Sequence, residues 1–173
     1  MEALEVTRPG DSDSSKLEGL ADALHTERRL LDEMSRVLLR QREGISADDL
    51  TVLDESVYCA QRVLLTLQQA RRRRRMLMSL LGGQEDTPLV ELESTLGPTA
   101  TPSLCRARDE LMEAAQRLAR ELEVNRRVID GAISAGDEVI ALFVGPAPSP
   151  ELYSKKDGPE PGGRPGALLN TRA

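Results

Sequence analysis

Tryptophan is absent from this 173-residue chain, which has one phenylalanine, two tyrosines and one histidine. A hydrophobic core must therefore be built from aliphatic residues, and little is left for acid–base chemistry. The lone His25 lies between Leu24 and Thr26, with no cysteine or second histidine at ligand spacing, so no metal site or general base is expected there. Cys59 and Cys105 are far apart and unpaired in pattern, and they read as inert small residues in a reducing compartment. No cofactor is expected. No window approaches the ~18 consecutive apolar residues that suggest a membrane span. The first residues, Met1-Glu2-Ala3-Leu4-Glu5, lack the basic and apolar regions of a signal peptide. These absences predict a cytoplasmic chain without membrane insertion.

Charge excludes more. A net charge of −6 opposes nucleic acid and anionic lipid for the chain as a whole. Carboxylates are plentiful, as at Asp48-Asp49 and Glu121 with Glu123, but no complementary base accompanies them. No nucleophile elbow, phosphate loop or dinucleotide fingerprint occurs, so the chain does not read as an enzyme.

What is present is helical periodicity. Residues 1–15 are polar, carry Pro9, Gly10 and an Asp/Ser run, and read as a disordered leader. Then Leu17, Leu20, Leu24, Glu27, Leu31, Met34, Leu38 and Gln41 alternate three- and four-residue steps, one seam of a helix over about 16–43. Gly44 is the expected stop. Ser46 is the expected N-cap of a second helix over about 47–81, with Asp49 at N3 and an Ile45–Leu50 staple. So short a connection predicts an antiparallel helical hairpin. The second seam reads Leu50, Leu53, Val57, Ala60, Leu64, Leu67, Arg71, Arg74, Met78 and Leu81, and Gly82-Gly83 ends it.

Pro88, Gly97, Pro98 and Pro102 break the connection that follows, leaving room for a short helix over about 88–96 that could cap the open end of the hairpin. Thr101-Pro102 then opens a third long helix to 143, with the stripe Leu104, Leu111, Ala115, Leu118, Leu122, Asn125, Ile129, Ala132, Val139 and Phe143. The fold class is all-α: an antiparallel hairpin plus a third long helix in an elongated coiled-coil-like bundle. A flexible Pro/Gly-rich tail over 145–173, with Tyr153 in one short apolar island, completes the expected organisation.

Two polar residues on the seams stand out, Glu27 and Asn125. Either Asn125 fixes helix register inside the bundle, or it marks where a partner helix docks. The run Arg71 to Arg75 spreads over all faces of a helix and has no interleaved aromatics, so it reads as a solvated, acid-paired stretch rather than a nucleic-acid groove.

The order of these features resembles the FlgN-like flagellar export chaperones. The resemblance rests on Leu20 to Leu31 with a Glu ahead of a Leu pair, Gln41-Arg42-Glu43, a long second helix ending in arginines, Leu118 through Leu122 to Asn125-Arg126-Arg127, Tyr153 through Gly158, and Leu168 to Ala173. It implies a cytosolic chaperone of the flagellar type III secretion system. Such a chaperone binds hook-filament junction proteins (hook-associated proteins), prevents their premature assembly and delivers them to the flagellar export gate. It also implies client binding by Leu118, Leu122, Asn125, Ile129, Ala132, Val139 and Phe143, and export-gate docking by Tyr153 and Gly158. The alternative is a coiled-coil adaptor or structural interaction protein with no flagellar role.

Overall fold

A computed structural model describes residues 9–145, with side-chain burial from residue 13 onward. Helix α1 runs Pro9–Ser46, α2 Leu50–Leu80, the short α3 Leu92–Leu96 and α4 Pro102–Val144. Turns of 3₁₀ helix at Leu89–Glu91 and Gly97–Thr99 flank α3. Among the described residues there is no strand, and the chain is all-α as expected. The described residues divide into two units at Ser134/Ala135. The bundle belongs to the first; in the second, α4 continues to Val144 and Ala135–Val144 is exposed throughout.

Helix α1 begins at Pro9, earlier than the expected leader boundary near residue 15. Proline is favoured in the first turn, and Asp13 places negative charge near the end of the helix dipole that welcomes it. Its seam is the expected one. Leu20, Leu24, Leu31, Met34 and Leu38 are buried, and Glu27 lies buried among them.

The hairpin turn differs from expectation. Gly44 remains inside α1, which ends at Ser46, and a Cβ at Gly44 would lie 3.0 Å from Val52 Cγ1. Glycine is thus the residue that lets the two helices meet. The Asp49 N–H donates to Gly44 O at 2.9 Å and the Asp48 N–H to Ile45 O at 3.3 Å, which is a Schellman closure. Asp48 takes the left-handed position usually given to glycine, at φ 53°. Asp49, rather than Ser46, caps α2: its Oδ1 accepts from the Thr51 and Val52 N–H groups at 3.0 and 3.1 Å. The Ile45–Leu50 staple does not form, since Leu50 is 75% exposed.

The same closure ends α2. Gly83 N–H donates to Met78 O and Gly82 N–H to Ser79 O, with Gly82 at φ 85°. The seam between keeps Leu67 and Met78 from the expected set but replaces its other row by the residues one position earlier. Ser56, Val63, Leu67, Ala70 and Met78 are buried, whereas Leu50, Val57 and Leu64 are exposed. Small side chains at Ser56 and Ala70 suit the close packing of α2 on α1, and the Ser56 hydroxyl bonds back to Leu53 O at 2.7 Å.

At the open end, α3 supplies Leu92 and Leu96 to a cluster with Leu20, Leu24, Leu67, Met78, Leu104, Ala107, Leu111 and Ala114. Helix α4 starts as expected, with Leu104 N–H on the Thr101 hydroxyl at 3.3 Å. Arg108 then ties α4 to α3 through Glu93 at 2.9 Å. Its neighbour Asp109, and after it Glu93, raise the guanidinium pKa above its usual value. Full burial of each leucine in this cluster stabilises the fold by roughly 1.5–3 kcal/mol, so Leu24→Ala or Leu104→Ala is the kind of change that would undo it.

Candidate protein-binding surface

Within the first unit α4 lies along α1 and runs in the same direction. His25 and Arg28 face Glu110 at 3.7 and 3.6 Å, Asp32 meets Arg117 at 3.3 Å, and Arg42 holds Glu121 at 2.7 Å. Beneath this line of charges α4 buries Leu104, Ala107, Leu111, Ala114 and Asn125, with Leu118 half-buried. The spacing is three and four residues in alternation, as in a coiled-coil seam.

The stripe expected from sequence shares only part of that seam. Leu104, Leu111, Leu118 and Asn125 face the bundle, but Ala107 and Ala114 take the remaining buried places, and Ala115 and Leu122 are exposed. The reason is geometric. An apolar run wider than one seam admits two registers, and the small alanines take the inner one. Ala115 and Leu122 are consequently left as an apolar edge beside the seam, with Ile129 half-buried and Ala132 exposed further along. Leu122 is 48% exposed and Ile133 58%. In the second unit, Val139 is 51% and Phe143 87% exposed. Tyr153 and Gly158 lie outside the described residues.

Asn125 is the last buried residue of α4. Its Nδ2 donates to Gln41 Oε1 at 2.7 Å, while its Oδ1 is buried without a hydrogen-bond partner among the described residues. Glu27, the other polar seam residue, holds the Nε of Arg74 at 2.8 Å with only 4% of its side chain exposed. Sequence reasoning marked Glu27 and Asn125 without finding either partner. The available signal was that each faces another polar residue on a neighbouring seam, Arg74 or Gln41. The acid pairing expected for the arginine run holds for Arg74 and for Arg75, which sits 3.4 Å from Asp86.

Nothing in this arrangement converges on a reacting atom. Among the described residues no group of three or more His, Cys, Asp or Glu side chains is placed to hold a metal ion. The crevice between α1 and α2, lined by Leu30, Glu33, Cys59, Arg62, Val63 and Thr66, contains no histidine to activate the thiol. No described helix is long and apolar enough to cross a membrane.

A helical bundle in which one long helix is half core and half apolar edge defines a protein-binding module. A model of the family described as FlgN protein matches residues 16–161, most of the chain, and the chain belongs to that family. It is thereby placed among flagellar export chaperones, a family whose members bind flagellar proteins. No curated protein and no solved structure matches it.

Proposed function

We propose that this chain is a cytoplasmic chaperone that holds hook-filament junction proteins on α4 and hands them to the flagellar export gate. The observation that carries the reading is the apolar edge of α4, Ala115 and Leu122, exposed beside a seam already closed by Ala107 and Ala114, with Ala132 exposed beyond the seam's end. An exposed apolar edge on a helix is suited to an amphipathic helix of a client, which would otherwise self-assemble. Asn125 closes the bundle against Gln41, so its contribution to the client is to hold α4 in place. Client contact by Val139 and Phe143, which belong to the second unit, rests on the family resemblance. No nucleotide is needed, and a moderate affinity suits later release. Gate docking by Tyr153 and Gly158 rests on the family resemblance.

The test is co-purification with a hook-filament junction protein, comparing the full chain with Leu122→Glu and with Val139→Glu/Phe143→Glu. Exposed positions tolerate these changes without unfolding, whereas deleting α4 would remove Leu104 and Leu111 from the core. Client affinity about tenfold or more weaker is expected from each variant. Undiminished capture by both would remove α4 from the proposal. Tyr153→Ala should spare client capture and weaken binding to the gate; equal gate binding would remove Tyr153.

A further inference from the structure

Helix α2 carries a second apolar stripe on the side facing away from the core. Tyr58, Leu65, Met76 and Leu80 are 62%, 61%, 57% and 58% exposed. At 3.6 residues per turn they fall, with Gln69, inside an arc of about 60°, opposite the buried Val63, Leu67 and Ala70. The stripe runs roughly 33 Å along the helix. Isolated exposed leucines need no explanation, but a row at near-heptad spacing on one face does.

Its charge selects the occupant. Between Val57 and Leu80, α2 has six arginines and no acidic residue, in a chain whose net charge is −6. Arg74 is taken by Glu27 inside the bundle and Arg75 lies near Asp86. Arg62, Arg72 and Arg73, which border the stripe, are exposed and have no carboxylate within ion-pair distance among the described residues. A narrow apolar seam with basic flanks is the complement of an amphipathic helix with acidic flanks. A second copy docked by the same face would set these arginines against one another. A lipid surface calls for a broader apolar face than this seam presents.

We propose that the outward face of α2, Tyr58, Leu65, Met76 and Leu80 bordered by Arg62, Arg72 and Arg73, docks an acidic amphipathic helix of a partner protein. The face is separate from the α4 edge, so its failure would leave the client reading standing.

The probe is a fluorescent four-heptad peptide with Leu at a and d and Glu at e and g, titrated by anisotropy against the full chain at physiological ionic strength. A counterpart with Lys at e and g is the control. The Glu peptide should bind, with the Lys peptide about tenfold weaker or worse. Leu65→Ser/Met76→Ser should abolish binding, and Arg72→Glu/Arg73→Glu should reverse the preference between peptides. Both variants alter exposed positions, and circular dichroism with thermal unfolding verifies that they fold. Equal binding of the two peptides, no binding of the Glu peptide, or unchanged affinity in Leu65→Ser/Met76→Ser overturns the proposal. So does a dimer in sedimentation that this double variant dissolves, which gives the face to a second copy. Phosphatidylglycerol vesicle binding lost in the same variant, without discrimination between peptides, overturns it in favour of a membrane.

Discussion

Asn125 and Gln41 are joined by a 2.7 Å hydrogen bond between helices that run side by side, 84 residues apart in sequence. The bond sits where the buried part of α4 ends, and Asn125 Oδ1 has no hydrogen-bond partner among the described residues. Such a pair contributes little net stability and much registry, since sliding α4 along α1 would strand both amides.

Removing one amide should cost more than removing both. Asn125→Ala is expected to lower stability by about 1–3 kcal/mol, while Gln41→Leu/Asn125→Leu returns close to the parent value or above it. Urea unfolding of the two single variants and the double variant measures the coupling; additive losses would count against a registry pair.

Glu27 and Arg74 form the charged counterpart in the hairpin, with 4% and 13% of their side chains exposed. Glu27→Ala leaves a guanidinium facing the core without its carboxylate and should cost about 3–5 kcal/mol. Glu27→Met/Arg74→Met should recover most of that loss. Guanidinium chloride midpoints provide the comparison.

The two Schellman closures predict opposite signs. Asp48 and Gly82 occupy the same left-handed position at φ 53° and 85°. Asp48→Gly should stabilise the protein by about 0.5–1 kcal/mol and Gly82→Ala should destabilise it by about 1 kcal/mol, because only glycine takes that conformation without strain. Thermal unfolding of the two variants reads both signs.

Gly44 fixes how closely the hairpin closes. A Cβ there would meet Val52 Cγ1 at 3.0 Å and Leu53 Cγ at 3.3 Å, so Gly44→Val should cost about 1–3 kcal/mol despite adding a better helix former. Val52→Ala in the same chain should recover part of the loss. No recovery would mean that the clash lies elsewhere.

The first helix was readable from sequence because its largest buried residues, Leu20, Leu24, Leu31, Met34 and Leu38, follow one seam and its one buried acid interrupts that seam visibly. The second was not. Leu50, Val57 and Leu64 compete with Ser56, Val63 and Ala70 for the core, and periodicity weights the larger residues when close packing favours the smaller. On α4 the same bias drew the stripe through Ala115 and Leu122, whereas burial takes Ala107 and Ala114. At the turn, Gly44 looked like a terminator because a helix interior disfavours glycine, but its value there is the missing side chain. Long-range partners such as Gln41 for Asn125 require knowing which helices are neighbours, which no local pattern encodes.

Burial of α4 stops at Asn125, and that has a consequence for how variation in this helix will register. A survey of substitutions scored by abundance in the cell would respond sharply at Leu104, Ala107, Leu111 and Ala114 and scarcely at all at Val139 or Phe143, whose side chains support no packing. Selection on folding alone leaves those distal positions free to drift. On the proposed client role, Val139→Glu/Phe143→Glu would leave abundance unchanged and lower motility, so the two measured in parallel would separate the scaffold from the grip.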